Sequence, residues 1–365
     1  MRVIISGGGT GGHIFPAIAI ADALKKQVPQ AEILFVGAKG RMEMEKIPFA
    51  GYPIEGLWIS GFQRNQIFKN ILLPLKIIVS LFSVWRIIKK MNPDIVIGVG
   101  GYASAMAVQV AIWKGIPVLI HEQNSFAGKT NQILSKKASK ICVAFDQMDR
   151  FFPKEKIVET GNPIRTQIEE SSFSKEEAIA FFKLDPNKKT LFVTGGSLGA
   201  GTINRSIAAA VNQFISNQIQ VIWQVGKIHY EAFATLHNPI QGILVLPFVE
   251  RMDMAYAAAD LVVSRAGALT LSEIQVLSKA SILIPSPNVA EDHQTVNARS
   301  MTEKGAAVFI SDKEAQEKLG DRILQLLSST DQLNQLGENA GALAKTRAAD
   351  KIASLALQII KNQSL

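Results

Sequence analysis

The feature that most constrains this chain is a local pattern that occurs twice: a short apolar run, a glycine-rich loop and an amphipathic stretch. It appears at residues 3–6 with the loop 7–12, and again at residues 191–194 with the loop 195–201. A strand that leads through a glycine loop into a helix typically opens a doubly wound parallel sheet. Two such openings in 365 residues, 47% of them hydrophobic, predict two α/β domains.

The rest of the chain fits the same architecture, because short apolar runs alternate with amphipathic stretches throughout. Strands are predicted at 2–6, 33–36, 94–99, 118–121, 190–194, 220–225, 243–246, 261–264 and 281–284. Helices are predicted between them, for example over 14–26 and 202–214. Glycine and proline within residues 160–164 interrupt regular structure, so we place the linker between the two halves there.

Composition restricts the partners and the compartment. The net charge of +8 favours an anionic partner, which would be a nucleic acid, a phosphorylated substrate or an anionic lipid surface. The single cysteine, Cys142, excludes an intrachain disulfide and favours a reducing compartment. The N-terminus lacks a signal-peptide pattern, and the most apolar segment, 71–85, is shorter than the ~20 apolar residues that span a bilayer. We therefore expect a soluble or peripheral protein.

The first glycine loop satisfies the dinucleotide fingerprint G-x-G-x-x-G through Gly7, Gly9 and Gly12. That fingerprint also requires an acidic residue at the end of the second strand to bind the ribose. The first acid after the strand, Glu43, comes too late, so the dinucleotide hypothesis is disfavoured. The second glycine loop lacks the Lys-Ser/Thr ending of a P-loop, which disfavours phosphoryl transfer.

Two residues of the second half are candidates for holding a nucleotide. The Ser197 hydroxyl would donate to a phosphate beside the loop amides, or it would only cap a turn. Glu273 falls early in the helix that follows strand 261–264. Its two oxygens would accept from both ribose hydroxyls, or it would only complement the helix dipole. An acid aimed at a diol beside a phosphate-binding loop would suit a nucleotide sugar.

Six motifs, in order, resemble the MurG family, the N-acetylglucosaminyltransferases that make lipid II in peptidoglycan synthesis. They lie at residues 9–16, 121–124, 160–165, 195–197, 264–270 and 293–298. The resemblance covers the whole chain and implies a GT-B fold with two doubly wound Rossmann-like domains and an interdomain cleft. It implies an acceptor- and membrane-binding domain over 1–162, a UDP-N-acetylglucosamine-binding domain over 163–342, and a helix over 343–365 that crosses back to the first domain.

The reaction that the resemblance implies is an inverting, metal-independent transfer that needs no cofactor. N-acetylglucosamine would pass from UDP-N-acetylglucosamine to the C4 hydroxyl of the muramoyl sugar in undecaprenyl-diphospho-muramoyl-pentapeptide. The enzyme would act at the cytoplasmic face of the bacterial inner membrane, as a peripheral protein. By motif match, the donor would contact Thr10, Gly11, Gly12, Asn124, Arg165, Ser197, Val249, Ala268, Leu269, Thr270, Leu271, Ser272, Glu273 and Gln294.

The resemblance also implies roles for some of these residues. The Val249 backbone would bind uracil and Glu273 the ribose. Arg165 and Ser197 would lie toward the diphosphate, and Gln294 and Asn124 toward the sugar.

Inverting transfer needs a base for the acceptor proton and positive charge for the leaving diphosphate. Neither half contains an Asp-x-Asp metal-binding pair, so amides, helix dipoles and Arg165 would supply the positive charge. His13 follows the first glycine loop, and an imidazole has an ordinary pKa of about 6.5. It is a candidate catalytic base, a phosphate ligand or a residue that only orders the loop. Glu122 is the second candidate base.

A predicted helix over 75–90 has two apolar faces. The uncharged face is expected to pack on the core. The other face is expected to meet an anionic lipid surface, unless neighbouring helices bury it. This membrane-contact face comprises Leu75, Ile78, Val79, Phe82 and Trp85, flanked by Arg86 and Lys89. Lys69, Lys136, Lys137 and Lys140 would extend the basic rim.

Two other classes of function remain open at this point. A UDP-N-acetylglucosamine 2-epimerase, or another GT-B transferase, would share the donor site without needing a lipid-linked acceptor. A non-catalytic nucleotide-sugar or nucleic-acid binder would also suit the charge of +8. We expect no nucleic-acid partner, because the basic residues are scattered along the chain. Aromatic residues make up only 7% of the chain, and no group of them suggests a platform on which bases would stack.

Overall fold

The computed structural model describes residues 1–61 and 70–363. The chain forms two compact units. The N-terminal unit comprises Met1–Arg165 together with Arg347–Leu365, and the C-terminal unit comprises Thr166–Thr346. The boundaries expected from the sequence were 162/163 and 342/343. Lys69 of the expected basic rim lies outside the described residues.

The N-terminal unit is built on a seven-stranded parallel sheet with the strand order β3-β2-β1-β4-β5-β6-β7. Its strands are β1 Arg2–Ser6, β2 Glu32–Ala38, β3 Ile54–Leu57, β4 Ile95–Gly98, β5 Val118–Glu122, β6 Lys140–Val143 and β7 Ile157–Glu159. Its helices before the linker are α1 Gly11–Gln27, α2 Glu43–Phe49, α3 Leu73–Met91, α4 Tyr102–Trp113 and α5 Lys129–Ser135.

The C-terminal unit has a six-stranded parallel sheet with the order β10-β9-β8-β11-β12-β13. Its strands are β8 Lys189–Thr194, β9 Ile219–Gln224, β10 Ile243–Leu246, β11 Leu261–Ser264, β12 Ser281–Leu283 and β13 Val308–Phe309. Its helices are α6 Thr166–Glu169, α7 Lys175–Phe181, α8 Gly201–Ser216, α9 Tyr230–Phe233, α10 Met252–Ala258, α11 Ala268–Val276, α12 His293–Thr302, α13 Ala315–Leu327 and α14 Thr330–Ala342. The last helix, α15 Ala348–Gln363, packs on α1 of the N-terminal unit.

Most strand residues are apolar and buried, because both faces of each sheet are covered. Successive residues of β1 alternate between two cores: Ile4 packs with α3 and α4, whereas Val3 and Ile5 pack with α1 and α15. The predicted strands agree with the observed ones to within two residues, and the α/β, doubly wound fold class is confirmed. The sequence patterns missed β3, β6, β7 and β13, which are short and of which three are edge strands.

Each sheet has one point where the strand order reverses. In the N-terminal unit β1 lies between β2 and β4, and in the C-terminal unit β8 lies between β9 and β11. Ligands of doubly wound sheets bind outside the carboxyl ends of the strands at such a point. Both glycine loops follow these central strands, so the fold places them where a ligand is expected.

Candidate functional site

The first glycine loop connects β1 to α1 and presents its tip to solvent. Gly9 has a φ of +87°, a backbone conformation that glycine adopts without strain. Gly9, Thr10 and Gly12 are exposed, and Thr10 is the N-cap of α1. The first turn of α1, which is the positive end of the helix dipole, therefore begins at the exposed tip of this loop. This arrangement suits an anion such as a phosphate.

A buried carboxylate holds the base of this loop in place. Glu43 is fully buried, and its Oε2 accepts from the Gly9 amide at 3.0 Å while its Oε1 accepts from the Ala38 amide at 3.0 Å. A Cβ atom at Gly8 would lie 2.1 Å from Glu43 Oε1, and one at Gly37 would lie 2.7 Å from its Cγ. The two glycines therefore make room for this carboxylate, which shapes the loop. From the sequence, Glu43 was considered only as a possible ribose ligand, and this structural role was not predicted.

We expect Glu43→Gln to destabilise the fold by about 1–3 kcal/mol, because the new amide would turn an N–H group toward the backbone N–H of Gly9 or Ala38. Urea unfolding measures the change in the free energy of unfolding. Glu45→Gln is the matched control: Glu45 lies on the same helix but is exposed, so its replacement should stay within about 0.5 kcal/mol. Equal stability of the two variants would contradict the assigned role of Glu43.

His13 lies in the first turn of α1 and is joined to the loop after β5 by hydrogen bonds. Its Nδ1 lies 3.1 Å from Gln123 Oε1. The Gln123 Nε2 lies 2.8 Å from the Val99 carbonyl and 2.9 Å from His121 Nδ1. The His121 Nε2 in turn lies 3.2 Å from the Gly161 carbonyl. Burial lowers the pKa of His121 to about 4, so this ring is neutral at neutral pH.

Glu122, the other candidate base, is buried and organises the loop that follows β5. Its Oε1 accepts from the Asn124 amide at 3.2 Å. Its Oε2 accepts from the Gly128 amide at 3.1 Å and from Asn131 Nδ2 at 2.9 Å. A carboxylate engaged by three donors is well placed to order a loop, and this geometry favours His13 over Glu122 as the base.

Arg165 ends the first segment of the N-terminal unit. Its guanidinium lies over the Phe15 ring, 5.8 Å from the ring centroid. Phe15 belongs to the first turns of α1, so this cation is held beside the helix that carries His13.

The second glycine loop follows β8 and is anchored by a residue that the sequence patterns did not single out. Gln224 is buried at the end of β9, and its Nε2 donates to Thr194 Oγ1 at 3.1 Å and to the Gly196 carbonyl at 3.0 Å. Its Oε1 accepts from the Val249 amide at 2.8 Å. Gln224 therefore links the glycine loop to the segment of Val249, and Ser197 is exposed at the tip of the loop. The sequence signal for Gln224 was its position as a polar residue at the end of a mostly apolar strand.

The predicted donor residues from Ala268 to Glu273 all lie on α11, which begins directly after Gly267. Glu273 is buried, and its Oε2 accepts from the Tyr256 hydroxyl at 3.0 Å. The first turn of α11 contains no acidic residue, so Glu273 lies beyond the turn where a helix dipole acts most strongly. The helix-dipole explanation of Glu273 is therefore weakened.

The structure brings these C-terminal elements together at one edge of the sheet. Thr194 pairs with Ser264 between the neighbouring strands β8 and β11, so the loops that follow them start side by side. Gln294 lies on α12, and its Oε1 accepts from the Ser286 amide at 2.9 Å after β12. Within residues 1–61 and 70–363, no three His, Cys, Asp or Glu side chains are grouped to hold a metal ion.

The predicted membrane-contact face of α3 is exposed. Phe82 and Trp85 are 58% and 41% exposed, whereas Val84 and Ile88 on the other apolar face are buried, as expected. Leu75, Ile78 and Val79 are exposed as well. Across the part of the chain that the structure describes, no helix has the length and apolarity needed to cross a membrane.

Cations surround the aromatic rings of this face. The Phe82 and Trp85 rings stack with centroids 6.2 Å apart. Arg86 lies 5.7 Å from the Phe82 centroid, and Lys89 lies 5.4 Å from that of Trp85. Lys114, which follows α4, lies 4.9 Å from the Trp85 centroid, and its neighbour Trp113 is 63% exposed. The sequence did not identify this contribution from α4.

Comparison with known proteins identifies the family. The glycosyltransferase family 28 N-terminal domain matches residues 3–143, and the C-terminal domain of the same family matches residues 190–354. The chain belongs to glycosyltransferase family 28. Its two units carry the two domains of this family, and the GT-B fold and the glycosyltransferase class expected from the sequence are confirmed.

Among the family 28 relatives, one protein from Parabacteroides distasonis is 51% identical over 98% of both chains. It is named UDP-N-acetylglucosamine–N-acetylmuramyl-(pentapeptide) pyrophosphoryl-undecaprenol N-acetylglucosamine transferase. The crystal structure of MurG from Acinetobacter baumannii matches with a TM-score of 0.79 at 30% identity, covering 98% of this chain and 99% of that one. The resemblance to the MurG family is thereby confirmed.

The alternative hypothesis of a UDP-N-acetylglucosamine 2-epimerase is supported only by similarity of fold. A putative UDP-N-acetylglucosamine 2-epimerase from Listeria monocytogenes matches with a TM-score of 0.67 at 13% identity, covering 96% of this chain and 94% of that one. Identity this low indicates the shared architecture and nothing about the reaction.

Proposed function

We propose that this family 28 chain transfers N-acetylglucosamine, with inversion, from UDP-N-acetylglucosamine to the C4 hydroxyl of the muramoyl sugar in undecaprenyl-diphospho-muramoyl-pentapeptide. The observation that carries the proposal is the 51% identity, over 98% of both chains, with a transferase named for this donor and acceptor. The geometry agrees with it, because a glycine loop follows the central strand of each sheet and opens at a helix N-terminus.

The C-terminal unit supplies most of the proposed donor contacts. Glu273, oriented by Tyr256, would accept from the ribose hydroxyls. The Val249 amide already donates to Gln224, so the Val249 carbonyl is the group that we assign to uracil. The α11 amides and Ser197 would stabilise the diphosphate, which gains charge as it leaves.

The remaining donor contacts follow the motif match. Arg165 would stabilise the diphosphate together with the amides. Asn124 and the Nε2 group of Gln294 would bind the sugar, because the Oε1 of Gln294 already accepts from the Ser286 amide. Thr10, Gly11 and Gly12 would contact the donor as well.

The N-terminal unit would receive the acceptor. The first-turn amides of α1 suit the acceptor's diphosphate, and His13 in the same turn is the proposed base for its C4 hydroxyl. The exposed face of α3 would hold the protein on an anionic membrane surface, as a peripheral protein at the cytoplasmic face of the bacterial inner membrane.

An activity assay tests the proposal. The protein is incubated with UDP-N-acetylglucosamine and a short-chain analogue of the lipid-linked muramoyl-pentapeptide, and UDP and the disaccharide product are measured. We expect UDP release only when the acceptor is present, in a one-to-one ratio with the disaccharide. Conversion of UDP-N-acetylglucosamine to its 2-epimer without any acceptor would instead support the epimerase hypothesis.

We expect the double substitution Phe82→Ser and Trp85→Ser to weaken vesicle binding at least about tenfold, because two exposed aromatic side chains would no longer be buried in the lipid interface. Sedimentation with phosphatidylglycerol vesicles measures the binding. Phe49→Ser is the control, since Phe49 is 92% exposed on α2 and lies outside the proposed face. Unchanged binding of the double variant would reject this face.

A further inference from the structure

A buried glutamine, Gln123, lies between the two histidines of the N-terminal unit. It is 2% exposed and connects half-buried His13 to fully buried His121. The sequence places Gln123 within the motif at 121–124 but gives it no role. The role that we infer for Gln123 in positioning His13 deepens the proposed function and rests on that function.

The Val99 carbonyl decides which way the Gln123 amide points. A carbonyl oxygen only accepts hydrogen bonds, so the Gln123 atom 2.8 Å from it must be the NH₂ nitrogen. The same nitrogen lies 2.9 Å from His121 Nδ1, which must therefore accept. It also lies 3.3 Å from the His121 carbonyl, another acceptor. The reverse orientation would set two carbonyl oxygens against each other in a buried site.

The far end of the chain of hydrogen bonds agrees with this orientation. Because His121 Nδ1 accepts from Gln123, its proton must be on Nε2, which lies 3.2 Å from the acceptor-only carbonyl of Gly161. The burial that lowers the pKa of His121 to about 4 keeps this ring neutral. A protonated His121 would also turn an N–H group toward the NH₂ of Gln123.

The near end then has a single solution. With both Gln123 hydrogens directed at Val99 and His121, its Oε1 faces His13 Nδ1 at 3.1 Å and can only accept. We propose that Gln123 and His121 are positioning residues that hold the proton of neutral His13 on Nδ1, so that Nε2 is the nitrogen that accepts the proton of the acceptor hydroxyl.

This tautomer suits the transfer step. An oxygen lone pair of the C4 hydroxyl forms the bond to C1 of N-acetylglucosamine, and the bond from C1 to the phosphate oxygen breaks, leaving its electron pair on UDP. The hydroxyl proton moves to His13 Nε2, which gives an imidazolium with a proton on each nitrogen. The Nδ1–H bond to Gln123 persists before and after this step, so no buried group has to rearrange.

Gly100 leaves room for the imidazole ring close to Nδ1. A Cβ atom at this residue would lie 2.7 Å from both His13 Nδ1 and His13 Cε1. Gly100 has a φ of +100°, a conformation that favours glycine. A side chain at this position would therefore collide with the His13 ring.

Nitrogen NMR of the wild-type protein tests the tautomer without requiring activity. The protein is labelled with ¹⁵N-histidine and studied at a pH at which His13 is neutral; the His13 signals are those lost in His13→Asn. We expect a protonated, pyrrole-type Nδ1 and a pyridine-type Nε2 for His13, with the opposite pattern for His121. A pyridine-type Nδ1 in His13 would overturn the proposal, whether or not the protein transfers sugar.

Steady-state kinetics of Gln123→Met tests the link to the reaction. We expect kcat to fall about 10- to 100-fold, with the KM for UDP-N-acetylglucosamine nearly unchanged, and the His13 tautomer signature to be lost. An unchanged kcat, or a loss confined to KM, would overturn the positioning role. Failure of the wild-type protein to transfer sugar would instead refute the proposed function, and the NMR result would still decide the tautomer.

The matched control is Gln220→Met. Gln220 lies in the C-terminal unit and is 1% exposed. Its Nε2 donates to Thr190 Oγ1 at 2.9 Å, and its Oε1 accepts from the Asp185 amide at 3.0 Å. This variant loses a comparable buried amide but should keep kcat and the His13 signature. An equal fall in kcat in both variants would mean that general destabilisation, rather than positioning of His13, explains the effect.

Discussion

Replacing His13 by alanine is expected to lower kcat by about 10²- to 10⁴-fold, the contribution usual for general acid–base catalysis. His13 lies in the first turn of α1, beside the exposed glycine loop, and its Nδ1 is bonded to Gln123. Donor binding should change little, because we place the nucleotide contacts mainly in the C-terminal unit. Steady-state kinetics with both substrates varied, together with calorimetric titration of UDP, measures these effects.

The same experiment separates the three roles considered for His13. If His13 is the base, its replacement lowers kcat. If it is a phosphate ligand, the replacement mainly raises the KM for the lipid-linked acceptor. If it only orders the loop, the replacement lowers the free energy of unfolding and affects both kinetic parameters. His237→Ala is the control, since this ring bonds the Val245 backbone in the C-terminal unit and should leave kcat unchanged. A kcat within about threefold of the wild type would transfer the base role to another group.

Replacing Glu273 by alanine is expected to raise the Kd for UDP about 10²- to 10³-fold. Two hydrogen bonds from ribose hydroxyls to a charged carboxylate contribute together about 3–4 kcal/mol, which corresponds to this change. Glu273 is buried and its Oε2 accepts from Tyr256, so the carboxylate is oriented before the nucleotide arrives. Isothermal titration calorimetry with UDP measures the affinity.

Tyr256→Phe provides the graded comparison. It removes only the hydroxyl that orients Glu273, so we expect a smaller loss of UDP affinity, about tenfold or less. If Glu273→Ala bound UDP as tightly as the wild type while its free energy of unfolding fell, Glu273 would be a structural residue of α11. That result would remove the ribose contact from the proposed donor site.

The apolar patterns of the sequence were enough to predict the two sheets and most of their strands. Their strands are covered on both faces, so each appears as a nearly continuous apolar run, such as residues 191–193. The positions of the glycine loops followed from the same patterns. The two apolar faces of α3 could also be told apart from the sequence. The helix face of Val84 and Ile88 contains no charged residue, whereas Phe82 and Trp85 lie beside Arg86 and Lys89.

The contacts that shape the candidate site had no local signal. Glu43 reaches the Gly9 amide across 34 residues, and Gln123 reaches His13 across 110. Lys114 lies over Trp85 although the two belong to different elements of the chain. A hydrophobic pattern reports which face of an element is buried, but it does not report which distant polar group meets it.

The sequence by itself therefore determined the fold class, the two glycine loops and the family motifs, because all of these are encoded in neighbouring residues. Only the tertiary structure decided that His13 Nδ1 meets Gln123 Oε1, that Glu122 is engaged by the loop after β5, and that Gln224 links Gly196 to Val249. The physical reason is that a hydrogen bond depends on direction and on a distance near 3 Å, and these are set once the sheet has brought remote segments together.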